Sequence, residues 1–515
     1  MKRRQTQQSI SRRSPSPGLS LHVSPERTAA HRVFGVMDLL LIIFETFNLS
    51  DEEEHNALLS AMLTCKHWHK HACMVMWREA SCAKLLRLMP ITLPLPDTNP
   101  YIWAELLHTQ HYASLKRYSP YIIRLKHDDQ DSEESSWALS AHWVEAFLWN
   151  ATRALEAGAP IFPKLSTLHW HRNKNTASPD EKEITASRFT NFIGRIVSPR
   201  VVSLSIDSVV TPVLPQIVTI IEALPDLQTL SIPVPFDGDA FELFSCVSRL
   251  PKLKSFTNTS LGDVIISETL HPTTTLFTPG AFQFLDTLKL QCHLAGAKAL
   301  ITAAHSPVHV KRLAFRIPDL GSTQQVHEFL AIVVEKCPNL KAFRIEFNQD
   351  PGDTPSRPWG EKIGFTMLRP LLSLRQIESI EVCCVQDLEL SQPVIEEMSL
   401  AWPKLTFLRI KSFPTETSEE EPSLTLDALL PLAQRCPNLR VLSLSLHPEP
   451  GPLAVVLSSS PSQLPTFKHL ERLTFYLSQY VGVTESQAAL LLHRMLRNNH
   501  TPHCQIDCRP VFLHP

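Results

Sequence analysis

Pro338-Asn339-Leu340-Lys341-Ala342-Phe343-Arg344-Ile345 decides the fold. Within its last six residues the first, fourth and sixth are apolar. In a strand, alternate side chains point to opposite faces, so Phe343 and Ile345 share one face and Leu340 enters the same core a step earlier. The same hexad returns at Leu165 (LSTLHW), Val201 (VVSLSI), Leu227 (LQTLSI), Leu253 (LKSFTN), Leu285 (LDTLKL) and Val310 (VKRLAF). Beyond Leu340 it returns at Ile377 (IESIEV), Leu405 (LTFLRI), Leu439 (LRVLSL) and Leu470 (LERLTF). Successive starts lie 36, 26, 26, 32, 25, 30, 37, 28, 34 and 31 residues apart, room for a strand, a helix and two loops, with insertions in the longer gaps. A degenerate copy begins at Ile122 (IIRLKH).

Between hexads lie amphipathic stretches such as Gln324–Lys336 and Leu426–Arg435, whose apolar spacing predicts helices with one buried face. Pro225, Pro251, Pro338, Pro403 and Pro437 open hexads, where proline stops the preceding helix and extends the chain into the strand. This pattern resembles the leucine-rich-repeat proteins, in the irregular form found in receptor subunits. The resemblance implies an α/β fold: a curved solenoid with parallel strands on the concave face and helices on the convex face, over residues 161–515. Residues 81–160 are expected to be a helical linker and amino-terminal cap, with the degenerate repeat near 122–127.

The 49 Lys and Arg balance 51 Asp and Glu, so no global positive field favours nucleic acid or an anionic membrane. The longest purely apolar run, Leu39–Phe44, is far short of the roughly 20 residues that span a bilayer. Eleven cysteines without a secretory signal point to a reducing compartment, cytoplasm or nucleus. There is no GxGxxG, GxxxxGK[ST] or GxSxG, and the chain is expected to be no enzyme and to need no cofactor. Acidic runs at Asp51–Glu54, Asp128–Glu134 and Glu416–Glu421 are read as solvated loops without a role.

Residues 1–30 carry Lys2, Arg3, Arg4, Arg12 and Arg13 among Ser, Gln and Pro, a disordered basic tail. Residues 31–80 predict three short helices: Leu39–Phe47 capped by Asp38, about Asn56–Cys65 after a break at Asn48–Glu54, and about Trp68–Glu79. Here Arg32-Val33-Phe34 precedes Leu39, Leu40, Ile43 and Phe44; Cys65 and Trp68 follow, then Trp77-Arg78-Glu79. The stretch resembles the fungal F-box, with Met37 in place of the usual proline and Thr64 in place of valine before Cys65. The resemblance implies docking on the Skp adaptor, and through it a cullin, with Val36, Met37, Leu40, Ile43, Phe44, Leu63 and Trp68 as contacts. For Leu40 and Phe44 a place in the module's own core is an equal alternative, since one helix face must serve each task. Together the resemblances imply the substrate-recognition subunit of a cullin-RING ubiquitin ligase. The alternative is a leucine-rich-repeat scaffold whose F-box has drifted and which has no ligase role.

Two groups invite a metal reading. Cys65, His69 and Cys73 recur every four residues, but eight residues of helix span about 12 Å, too long for one ion to reach all three. His500, His503, Cys504 and Cys508 are closer in form to a metal loop, against a frayed terminus. No metal site is assigned.

The third and fifth hexad positions face outward. Early hexads place Thr167, His169, Ser203 and Ser205 there; later ones place Lys289, Arg312, Arg344, Arg409 and Arg472, interrupted by Glu381. Arginine's planar fork suits carboxylate and phosphate, so Arg312, Arg344, Arg409 and Arg472 are the expected contacts for an acidic or phosphorylated target protein, against simple solubility.

Overall fold

A computed structural model describes residues 37–48, 51–81, 84–85, 107–128, 141–154, 160–171, 192–206, 214–232, 241–258, 281–303, 309–317, 322–347, 363–384, 388–412, 424–446, 464–477, 492, 494–496 and 505–510. The basic tail, Val36 and the His500–Cys504 group lie outside these. The chain forms two compact units, Met1–Arg78 and Glu79–Pro515.

In the first unit, α1 (Met37–Glu45) and α2 (Glu52–Thr64) each pack on α3 (Lys66–Met76). Two boundaries differ from the sequence expectation. Asp38 lies inside α1 rather than capping it. Asp51 caps α2, accepting from the Glu53 and Glu54 amides at 2.9 and 3.2 Å. The acidic run read as a loop is therefore the cap and first turn of a helix, where carboxylates offset the unpaired amides and the positive dipole end. The core is Leu40, Phe44, Leu58, Ala72, Cys73, Val75 and Met76, all buried.

Among the described residues of the second unit, fourteen strands form one sheet, and all thirteen neighbour pairs are parallel. The strands are β1 (Glu79–Ser81), β2 (Arg124–Asp128), β3 (Thr167–His171), β4 (Ser203–Ile206), β5 (Thr229–Ser231), β6 (Ser255–Asn258) and β7 (Thr287–Gln291). They continue as β8 (Arg312–Ile317), β9 (Ala342–Phe347), β11 (Ser379–Cys384), β13 (Phe407–Ser412), β14 (Val441–Ser445), β15 (Arg472–Leu477) and β16 (Gln505–Pro510). Strands lie side by side in chain order, so each unit pairs only with the ones before and after it. A two-stranded pair, β10 (Ile363–Gly364) with β12 (Leu388–Glu389), stands apart.

Three of these strands extend the array beyond the eleven hexads. The degenerate copy at Ile122 is a full member, with Ile122, Leu125 and His127 buried. Glu79, expected at the end of a helix, instead opens β1, and Ala80 falls opposite Leu125. At the other end β16, read from sequence as a metal loop or a frayed terminus, sets Ile506 opposite Leu473.

Burial follows the hexad. The fourth position makes one row in register from Ala80 to Ile506. Its members from Ala80 to Leu473 are each at most 2 % exposed. First-position residues are equally buried, and the odd sixth residue, Asn258, is 0 % exposed.

The prolines have a more specific task than extending the chain. Backbone amides of Leu340, Leu405 and Leu439 each donate to the carbonyl three residues back, on Cys337, Trp402 and Cys436, at 3.2 Å. Pro338, Pro403 and Pro437 thus occupy the second position of a tight turn, for which their fixed φ is suited. The helices between strands vary. In α9 (Thr323–Lys336, counting α4 Ala113–Tyr118, α5 Ala141–Ala154, α6 Leu214–Glu222, α7 Phe241–Ser248 and α8 Leu294–Ala303) the start is fixed by a capping box of Ser322 and Gln325. The segment expected as one helix over Leu426–Arg435 is a 3₁₀ turn, Leu426–Ala428, running into a short α-helix, Leu429–Arg435. Between β9 and β11 the described residues include a 3₁₀ helix, Phe365–Ser373, with Pro370 inside it.

Leu313→Ala is expected to cost about 2–5 kcal/mol, and Arg312→Ala, one residue away on the outer face, under about 0.5 kcal/mol. Urea midpoints of the two variants, measured at matched slope, check this.

Candidate functional site

Two surfaces qualify. On the helical unit, α1 and α2 each carry an apolar stripe that its own core does not use. Leu39, Ile42 and Ile43 sit three and four residues apart on α1, and Leu59 and Leu63 four apart on α2; Ile42 is 58 % and Leu63 87 % exposed. The residues proposed from sequence divide accordingly. Leu40 and Phe44 are core, with the Phe44 ring edge-on to Trp68 at 5.8 Å, and Trp68 is half-buried. Ile43 and Leu63 are on the surface. Met37 is the first residue of α1. Ile42 and Leu59 are surface residues that the motif match does not name, and Leu39–Phe44, apolar throughout, carries no spacing that divides α1 between core and surface.

The helix also settles the Cys65, His69, Cys73 row. Cys65 is exposed and Cys73 fully buried. His69 sets Nδ1 3.1 Å from the Met62 carbonyl and Nε2 3.5 Å from the Cys73 sulfur, so both ring nitrogens are occupied by protein partners. Among the described residues no group of three or more His, Cys, Asp or Glu is placed to hold a metal ion.

The second surface is the outward face of the sheet. Arg344 and Arg409, two strands apart, both reach Glu381 on the strand between them: Arg409 Nη1 donates to Oε1 at 3.0 Å, and Arg344 Nη1 lies 3.4 Å from Oε2. Arg344 also donates to Glu346 at 3.1 Å, and Arg316 approaches Glu346 at 3.6 Å. The result is a ladder, Arg316, Glu346, Arg344, Glu381, Arg409, running across β8, β9, β11 and β13. Arg344 feels burial working against its charge, but Glu381 and Glu346 outweigh it and hold the guanidinium above its ordinary pKa. Cys383, on the same face, has its thiol pushed up to about 11 by burial and then by Glu381 and Glu346.

Of the other predicted contacts, Arg312 on β8 and Arg472 on β15 are exposed. They do not converge: β8 and β15 are five strands apart in the sheet order. The fifth hexad positions of β14 and β15 are covered, with Ser443 1 % and Thr474 4 % exposed. Sequence reasoning missed Arg316 and Glu346 because they lie at the seventh position, one step past the hexad; the strand's period of two was the signal that could have found them.

No protein-family model matches the chain, and no curated protein matches it. Among solved structures, it is similar to the leucine-rich-repeat-containing protein LegL7 from Legionella pneumophila, at 13 % identity over 69 % of this chain and 96 % of that one, with a TM-score of 0.32. It is also similar to a protein from Bacteroides fragilis, at 12 % identity over 68 % of this chain and 66 % of that one, with a TM-score of 0.20. Superpositions this loose carry no weight for the site; strand order, register and burial come from the chain itself. Among the described residues no helix is long and apolar enough to cross a membrane.

At pH 8, alkylation followed by mass spectrometry is expected to label Cys65 quickly. Cys383, Cys337 and Cys436, whose thiols burial pushes up to about 11, 12 and 11, should react only in denaturant, because a raised pKa leaves little thiolate at that pH.

Proposed function

We propose that the chain is a non-catalytic receptor: a leucine-rich-repeat solenoid that holds a target protein on its strand face, carried by an F-box that docks on the Skp adaptor of a cullin-RING ubiquitin ligase. Ubiquitin transfer to the target is then done by partners, and this chain contributes proximity. The observation that carries the reading is the division of labour in the helical unit. Leu40, Phe44 and Leu58 close its core, yet Leu39, Ile42, Ile43, Leu59 and Leu63 remain on the surface of a unit with few residues to spare. Exposed apolar stripes on two helices of so small a module fit a surface made to be covered by another protein. The motif residues Cys65, Trp68, Trp77, Arg78 and Glu79, at F-box spacing, favour the Skp adaptor as that protein.

The second part of the reading is that the strand face takes the target. Parallel strands laid in chain order give a long surface whose side chains come from many separate units. Arg312, Arg344, Arg409 and Arg472 give its later half a basic bias that suits an acidic or phosphorylated segment. The second reading, a protein-binding scaffold without a ligase role, shares this half and differs only at the helices.

The test is co-elution of the purified full chain with the Skp adaptor by size exclusion, alongside a chain carrying Ile43→Asp and Leu63→Asp. Both positions are exposed, so the far-UV circular dichroism should be unchanged while adaptor binding falls at least about tenfold, the order expected for charging the centre of an apolar interface. Leu40→Asp is uninformative because it would break the core. An unmutated chain that does not retain the adaptor overturns the ligase reading and leaves the scaffold.

A further inference from the structure

Two histidines on α3 lie between the members of the Cys65, His69, Cys73 row. His67 and His71 are four residues apart, so they share a helix face, and their rings meet with centroids 5.3 Å apart at 48°. Two imidazoles that point at one zinc ion, each at about 2.0–2.1 Å and at the tetrahedral angle, set their centroids about 5.2 Å apart. The pair is thus already spaced as a chelate, with no backbone change needed.

The hydrogen bonding of His71 prepares it for the same task. Its Nδ1 lies 2.9 Å from the His67 carbonyl, which can only accept, so the proton of the neutral ring sits on Nδ1 and the Nε2 lone pair is left over. A backbone carbonyl on the far ring nitrogen is the contact that orients metal-ligating histidines and fixes their tautomer. Among the described residues His71 makes no other hydrogen bond. At 5 % exposure its ring is held by packing, whereas His67 is exposed and free to close on an ion. Lys66 and Lys70 flank the pair, but both are exposed, and their flexible stems carry the ammonium groups out into water.

The helix also has a use for a clamp. Cys65 is the N-cap of α3 and gives its first amides no side-chain hydrogen bond, while Asp51 caps α2 with two. An uncapped start leaves orphan amides and a loosely held first turn. A cross-link from His67 in that turn to His71 in the next compensates for the missing cap.

We infer that His67 and His71 form a two-histidine clamp for a zinc-class divalent ion, with water in the remaining positions, and that the ion steadies the first turn of α3. Imidazole suits Zn²⁺, Cu²⁺ and Ni²⁺, whereas Mg²⁺ and Ca²⁺ take oxygen ligands. Two protein ligands make an exchangeable site rather than a closed structural one, and the clamp needs no third: among the described residues no group of three or more His, Cys, Asp or Glu is placed to hold an ion. The inference stands whether or not the unit docks on an adaptor.

The test is carbethoxylation of histidine in the purified full chain, mapped by mass spectrometry. Zinc at ten times its dissociation constant should slow modification of His67 about tenfold, by mass action. Nickel should act likewise and magnesium not at all. Hydrogen exchange at the amides of residues 69–71, the first that α3 itself bonds, should slow with zinc. In His71→Gln, checked for unchanged circular dichroism because His71 is buried, the protection of His67 should vanish. His67→Ala, on the surface and safe for folding, should bind one zinc equivalent fewer than the unmutated chain and lose the slowing of exchange. No protection by zinc, equal protection by magnesium, protection surviving in a folded His71→Gln, or unchanged zinc stoichiometry in His67→Ala would each overturn the assignment.

Discussion

A single backbone arrangement holds the large unit together. At each hexad's second position the carbonyl accepts from two amides of the next unit, those of its second and third residues. Ile123 takes Ser166 and Thr167 at 2.8 and 3.1 Å, and the same fork recurs unit after unit to Arg440, which takes Glu471 and Arg472 at 2.7 and 3.0 Å. A parallel strand cannot hairpin to its neighbour, so nothing local fixes its register. The fork does so, by pinning the point where each unit enters the sheet. A one-residue slip would turn every leucine of a strand outward, and the unbroken fourth-position row from Ala80 to Ile506 is the record that none has occurred.

This explains why the fold was legible from so irregular a sequence. Only the turn and the strand must repeat, and those are the short pieces, such as Pro403-Lys404-Leu405, in which the pattern is clear. The connection after each strand is free to vary, as a 14-residue helix at Thr323–Lys336 or a 3₁₀ helix holding Pro370 at Phe365–Ser373. Where the spacing failed to predict a unit, the cause is chemical. At β1 alanine replaces the leucine of the fourth position, and ahead of β16 the sequence carries a histidine three residues before Ile506, where the hexad would begin with an apolar residue. The α2 start was missed because its acidic run reads as a loop until one counts Asp51 as a cap.

Sites were less legible than the fold, for a reason particular to each surface. On α1, Leu39–Phe44 is apolar throughout, so sequence cannot divide it between core and surface. Packing on α3 does so, taking Leu40 and Phe44 in and leaving Ile42 and Ile43 out. On the sheet, hexad numbering found Lys289, Arg344 and Arg409 but implied that basic residues act as a column of independent charges. Register shows otherwise. Glu381, buried to 12 % side-chain exposure between Arg344 and Arg409, converts two of those charges into an internal network.

The ion ladder also bears on what selects these residues. Exposed or half-exposed pairs of this kind contribute roughly 0–1 kcal/mol each, whereas one buried leucine or phenylalanine of the adjoining row contributes about 1.5–3 kcal/mol on burial. The sheet would stand without Arg316, Glu346 or Arg344. Charged side chains set against one another on a face that stability does not require are better understood as oriented groups: each carboxylate holds a guanidinium fork in place, removing the entropy that a free arginine loses when it meets an anion.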